Sequence, residues 1–245
     1  KERRKSILDN CIWMRFCLAA GTREGYKKIH GVDMFNQVIK NIKAIIKEKK
    51  EGNYKTDIGL QAVYVPKLMD KEMIEESKLA VKLGVNYFVI KQCSLPEGNK
   101  KVGRIKFDVN QYDNEKVKQI LKKCESYSTN KTQIIPKWKT IERKGKREYS
   151  HCLAVPLISE ISGNGDWYPC GYFFGNKKEY DNLKFGNIHE KSFKEILYSE
   201  RYWQIIKFMI EKFDSQKDCK GSCRLDSCNK YIDTYLNKSN AINFI

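Results

Sequence analysis

The sequence predicts an α/β fold: half of a TIM-type (β/α) barrel over residues 1–130, followed by a small α+β cysteine-rich domain over 131–245. Three observations predict it. Apolar runs of strand length alternate with amphipathic stretches of helical spacing as far as residue 125. That alternation stops near 128, and five of the nine cysteines then fall between 152 and 228.

The elements follow in order. IWMRFCL at 12–18 reads as a buried strand, and AAGTREGYKKIHG as the loop after it. Phe35, Val38, Ile39, Ile42, Ile45 and Ile46 recur at helical spacing, so 34–49 is an amphipathic helix with Asp33 as N-cap and Gly52 at its end. IGLQAVYV at 58–65 is a strand stopped by Pro66. Asp70 caps a helix carrying Met73, Ile74, Leu79, Ala80, Val81 and Leu83, which Gly84 terminates. VNYFVIKQ at 85–92 is a third strand, and 113–125 a third helix with Val117, Ile120, Leu121 and Cys124 on one face. Strands and helices alternating at this spacing imply parallel βαβ units, in which functional groups lie where strands end. Here those ends are Cys17 to Gly21, Val65 and Lys91 to Ser94.

Beyond 128, TQIIP and the basic turn KGKR lead into a predicted hairpin, two strand-like runs joined by Gly163-Asn164-Gly165-Asp166. NLKFGNI at 182–188 is a short extended piece. Helices are expected near 191–198 and 200–213, the second capped by Ser199 with Trp203, Ile206, Ile210 and Phe213 on its apolar face, and a terminal helix over RLDSCNKYIDTYL.

With 41% hydrophobic and 12% aromatic residues, the 245-residue chain can build a substantial core. No apolar run is long enough to span a bilayer, and KERRKSILDN lacks a secretion signal, so a cytoplasmic location and no membrane partner are expected. The chain does not begin with Met and reaches strand-like sequence almost at once, so a portion of a longer protein is expected. A net charge of +17 favours polyanions, but the lysines are dispersed. The densest runs, KERRK and ERKGKR, are short and read as solvated surface, which argues against nucleic acid as a partner.

Cysteines at short spacings in a chain without a secretion signal suggest a metal site more than a disulfide framework, because cytosolic thiols stay reduced. The hairpin brings Cys152 and Cys170 together, and Gly221 lets the backbone turn tightly between Cys219 and Cys223. Four thiolates serve Zn²⁺ and iron–sulfur clusters alike, and spacing alone leaves the two open. Cys228, about one helical turn beyond Cys223, is a fifth candidate donor or a core residue. Cys11 and Cys124 read as packing residues; Cys17 and Cys93 lie at strand ends. The three histidines show no metal-ligand spacing.

Cys152, Gly165 and Cys170 at this spacing, followed by CKGSCRLDSCNKYI, resemble the auxiliary-cluster domain of radical S-adenosylmethionine enzymes, of the SPASM or shorter twitch type. WMRFCLAAGTREGYKKIHG, IGLQAVYVP and YFVIKQCS are similar to strands and a loop of the radical barrel, so the resemblance covers nearly the whole chain. It implies that Cys152, Cys170, Cys219 and Cys223 hold an auxiliary [4Fe–4S] cluster, with Arg224, Asp226 and Asn229 in the polar run after the last ligand. It also implies an oxidoreductase or maturase in which reductive cleavage of S-adenosylmethionine at a core [4Fe–4S] cluster yields a radical that abstracts hydrogen from a small-molecule, sugar or peptide substrate. Flavodoxin or ferredoxin would supply electrons. Lys91, Gln92 and Ser94 would contact cofactor or substrate at the barrel mouth.

Two departures qualify the resemblance. No Cys-x3-Cys-x2-Cys triplet for the core cluster is present, and Cys17 and Ala19 stand where relatives often carry polar residues. The expectation is the C-terminal portion of a twitch-type enzyme, inactive alone. The competing expectation, from another class, is a basic zinc-stabilised module that binds nucleic acid or another polyanion.

Overall fold

A computed structural model describes residues 2–93, 101–102, 105–106, 112, 114–143, 147–174, 178–219 and 223–237. The chain forms two compact units, Lys1–Cys93 with Phe107–Lys144, and Ser94–Lys106 with Gly145–Ile245.

The first unit opens on a helix that the charged sequence concealed, α1 (Glu2–Asn10), whose Leu8 is buried and whose Arg4 clasps Glu48 through two hydrogen bonds of 2.9 and 2.7 Å. Strand β1 (Trp13–Cys17) follows, half exposed instead of buried. The expected loop after it contains α2 (Arg23–His30), which Thr22 caps by accepting from Gly25 N and which ends on left-handed Gly31. Apolar periodicity could not show it, because only Gly25 and Tyr26 are buried in so short a helix.

Helix α3 (Phe35–Glu51) has Met34 at its N-cap without a side-chain bond, and the expected cap Asp33 instead takes a bidentate contact from Arg23 at 2.9 and 2.8 Å. Strand β2 (Asp57–Tyr64), α4 (Asp70–Leu83, closed by left-handed Gly84) and β3 (Tyr87–Gln92) lie where the sequence placed them. Residues Lys101–Val102 (β4) and Ile105–Lys106 (β5) form a short antiparallel ladder. Then α5 (Glu115–Glu125), capped by Asn114, leads to β6 (Gln133–Pro136) and α6 (Trp138–Arg143). Because β6 pairs in parallel with β3, it belongs to the sheet, and the first compact unit continues past the expected boundary at 130 to Lys144.

The sheet has the order β1-β2-β3-β6, all parallel, which is half of a (β/α) barrel. One face, with Ile58, Leu60, Tyr64, Phe88, Ile90 and Ile134, is buried, and α4 packs against β2 and β3. The other carries Trp13, Arg15, Cys17, Gln61, Val63, Tyr87, Lys91 and Ile135 and is much more open, with Trp13 56% and Val63 41% exposed. Gly59 is required there, since a Cβ would lie 2.1 Å from the Tyr87 ring, which occupies that space.

The second unit contains the expected hairpin, β7 (Glu160–Ile161) against β8 (Asp166–Tyr168), extended by β9 (Gly186–Asn187) into an antiparallel sheet. Gly165 takes φ +85° in the turn, a conformation that other residues adopt only with strain. Helix α7 (Phe193–Leu197) carries a Ser192/Glu195 capping box, α8 (Glu200–Glu211) is capped by Ser199 as expected, and α9 (Asp226–Asn237) closes the described chain. The core gathers Trp167, Phe185, Ile196, Tyr202, Ile206 and Met209. The apolar face of α8 is turned from the expected one: Tyr202 and Ile205 are buried, while Trp203 is 56% exposed. Tyr202 stacks against Phe185 at 4.3 Å, an aromatic partner that helical spacing cannot reveal.

Candidate functional site

In the second unit, four stretches converge on a cavity of about 300 Å³ whose wall includes Cys152, Cys170, Cys219 and Cys223. Cys152 is fixed by its backbone N–H donating to Met209 O of α8 at 3.1 Å. Cys170 follows β8 after Pro169 and caps the single turn Gly171–Phe173. Cys219 follows the turn at 215–218, and Cys223 precedes α9. Val155, Phe173, Met209 and Phe213 supply apolar wall, with Glu160 and Arg224 as charged members.

Burial dominates the electrostatics. It pushes the Cys152 thiol up to about 12, aided by Cys223, Cys219 and Cys170, and the Cys170 thiol up to about 11. Burial likewise raises Cys223. Thiols that disfavour one another's ionisation need positive charge to become thiolates together, which an iron-containing centre or metal ion supplies.

Each sulfur has a donor beside it. Arg147 Nη2 lies 3.6 Å from Cys219 Sγ, Tyr172 N lies 3.5 Å from Cys170 Sγ, and the Tyr149 hydroxyl hydrogen-bonds Cys223. Asn229 accepts from Ala154 N at 2.8 Å through Oδ1. Its buried Nδ2 has no hydrogen-bond partner among the described residues, and it is the influence that lowers the Cys152 thiol. An orphaned amide donor facing a thiol fits a site built for thiolate sulfur.

No three His, Cys, Asp or Glu side chains among the described residues close to the geometry of a single metal ion.

Cys228 lies on α9 outside the cavity wall. Cys124 is fully buried, as a packing residue should be, whereas Cys11 is exposed and does not pack. Cys17 is exposed at its strand end, where it accepts a hydrogen bond from Gln61 Nε2 at 3.3 Å. Cys93 is buried, its N–H donating to the Tyr112 hydroxyl at 2.8 Å, and Tyr112 in turn donates to Tyr64 O. His30 and His151 each bond a backbone carbonyl, Leu18 O and Phe213 O, at 3.0 Å.

In the first unit, Lys91 and Gln92 occupy opposite faces of β3. Lys91 pairs with exposed Val63 on the open face, while Gln92 pairs with buried Tyr64 and is only 9% exposed, so the two do not meet at one barrel mouth. The period-two alternation of a strand forces this separation. Ser94 lies outside the described residues.

The open face also holds a group that sequence reading missed. Arg15 donates to Gln61 Oε1 at 3.0 Å and to Tyr87 OH at 3.3 Å, and its guanidinium lies 4.8 Å from the Trp13 ring centroid. Alternate positions on three neighbouring strands build this cluster, and only the parallel register brings them together. At the β1 strand end, Glu72 accepts from Gly21 N, Thr22 N and Thr22 Oγ1 at 2.9–3.1 Å. One turn on, Glu76 is fully buried, and burial with the Glu72 charge holds its carboxyl well above the usual range.

Comparison with known proteins defines the class of the second unit first. Residues 152–229 match the family described as SPASM, an iron–sulfur cluster-binding domain. Among relatives, the chain is 27% identical over 170 residues to a tungsten-containing aldehyde ferredoxin oxidoreductase cofactor-modifying protein of Pyrococcus furiosus. That match takes in 66% of this chain and 45% of the relative, so the chain spans less than half the length of that protein.

Among solved structures, native anSMEcpe with bound AdoMet aligns with all of this chain and 72% of its own, with a TM-score of 0.52 at 15% identity. Native anSMEcpe with bound AdoMet and Cp18Cys peptide gives 0.54 at 14% identity, covering 99% of this chain and 72% of its own. These likenesses show the fold. The family match covers residues 152–229, about a third of the chain, and the structural likeness extends over nearly all of it as a shared fold.

No helix among the described residues is long and apolar enough to cross a membrane.

Proposed function

We propose that Cys152, Cys170, Cys219 and Cys223 hold an auxiliary [4Fe–4S] cluster in a radical S-adenosylmethionine maturase or oxidoreductase acting on a peptide. The carrying observation is that four cysteines, distant along the chain, wall a single cavity of about 300 Å³, where burial pushes the Cys152 and Cys170 thiols well up from their ordinary range. Cys228, outside that wall, is a structural neighbour and not a ligand. When bound, the cluster supplies one-electron chemistry; the chain's part is to hold it from four sides and to screen it with Val155, Phe173 and Phe213.

A peptide substrate is favoured over a sugar because a structure sharing this fold is of anSMEcpe with a peptide bound. S-adenosylmethionine, a core cluster and a flavodoxin or ferredoxin donor belong to the complete enzyme in this reading. On the first unit, Lys91 and the Arg15 cluster, presented on the open face of the sheet, are the groups we assign to substrate or cofactor contact.

Anaerobic reconstitution with iron and sulfide, followed by metal and sulfide analysis, tests the reading. About four iron and four sulfide per chain, with a brown chromophore, are expected. Stoichiometric zinc that iron and sulfide cannot replace would overturn it in favour of a zinc-stabilised module.

A further inference from the structure

The basic run before the first cysteine reads, in sequence, as solvated surface. The structure contradicts that for one member. Along Arg147-Glu148-Tyr149 the side chains alternate: Arg147 is 8% and Tyr149 2% exposed, while Glu148 turns outward to an ion pair with Lys230 at 2.6 Å. A buried guanidinium is costly unless anionic groups surround it. One group beside it is a sulfur, Cys219 Sγ, at 3.6 Å from Nη2. The Tyr149 hydroxyl lies beside the neighbouring Cys223 and donates to Asp226 Oδ1 at 3.3 Å.

We propose that Arg147 and Tyr149 are positioning residues that set the reduction potential of the cluster held by the four cysteines, raising it, with Arg147 the stronger. The inference rests on the iron–sulfur reading above and goes beyond the assignment of ligands. Adding an electron to a thiolate-bound cluster adds negative charge. A permanent cation and an O–H group beside two of its sulfurs therefore favour the reduced state, and do so strongly where apolar side chains exclude water.

Both groups lie on the stretch just ahead of Cys152, so one short segment places the charge, the hydroxyl and a ligand. A guanidinium keeps its charge across the physiological range.

The test is an anaerobic redox titration of the reconstituted 245-residue chain, followed by electron paramagnetic resonance, with iron content measured in parallel. Arg147→Met, Arg147→Lys and Tyr149→Phe are compared with wild type. We expect Arg147→Met to load iron normally and to shift the midpoint to more negative potential by about tenfold in the reduced-to-oxidised ratio, about 59 mV for one electron. Arg147→Lys should recover most of the shift, and Tyr149→Phe should give a smaller shift of the same sign. Loaded variants with the wild-type midpoint, or one moved positive, overturn the proposal. If Arg147→Met fails to load, the nearly isosteric Tyr149→Phe decides on the same criterion. Failure of the wild-type chain itself to bind iron and sulfide refutes the iron–sulfur reading instead, so the two failures are distinct.

Discussion

Trp167 offers a sharp test of what holds the cysteine cavity in shape. It sits in β8, three residues before Cys170, is 1% exposed, and stacks on Phe193 at 4.4 Å with Phe185 and Tyr202 each 5.7 Å away. Truncation to alanine removes the largest fully buried side chain and leaves a void among aromatic neighbours that cannot all collapse, which costs about 3–5 kcal/mol. One term acts the other way. The indole Nε1 is buried with no hydrogen-bond partner among the described residues, so deleting it relieves a penalty of about 1–3 kcal/mol.

Trp167→Phe, which keeps a ring and sheds that N–H, should therefore lose no more than about 1 kcal/mol, because the two terms nearly offset. Thermal unfolding of the metal-free chain followed by circular dichroism separates the variants. At about 4 °C per kcal/mol, the net loss of about 2 kcal/mol should make Trp167→Ala unfold about 8 °C below wild type, and Trp167→Phe should stay within about 4 °C of it. Equal losses for the two variants, or an alanine variant as stable as wild type, would refute the account of this core.

Further outcomes follow from other parts of the structure. Cys170→Ser should abolish stoichiometric iron binding on reconstitution, whereas Cys228→Ser should leave iron and sulfide content unchanged; iron loss in both would make Cys228 a ligand. Burial holds Glu76 above its unfolded value, so its neutral form supports the fold fully below about pH 4.5, and that support is lost as pH rises through the folded value. Its neighbour Glu72 adds to the effect, while Ala19 N–H opposes it without reaching hydrogen-bond geometry. Glu76→Gln should thus raise the melting temperature at pH 8 and not at pH 4, and a gain independent of pH would count against a neutral carboxyl. Gly21→Ala would set a methyl 2.1 Å from Glu76 N, a backbone atom, and should cost about 1–3 kcal/mol in urea denaturation.

Much of the architecture was legible because it is written in local chemistry. The alternation of apolar strand runs with helical spacing gave β2, α4, β3 and α5, and Gly84, Asn114 and Ser199 stand at helix ends as capping chemistry requires. The hairpin turn was legible from Gly163 to Asp166. Elements too short or too charged to show a period, α1 and α2, were not. The gathering of Cys152, Cys170, Cys219 and Cys223 was an expectation from resemblance and from the hairpin; all four line one cavity.

By itself, then, the sequence determined the α/β class and the order of most elements, since propensity, capping and turn chemistry act between near neighbours. Only the tertiary structure decided that β6 joins the sheet, that Gln92 turns away from Lys91, and that Arg147 enters a sulfur-lined cavity while its neighbour Glu148 faces water. Those outcomes depend on strand register and on which buried surface is close enough to compensate a charge, and such facts exist only once distant segments have met.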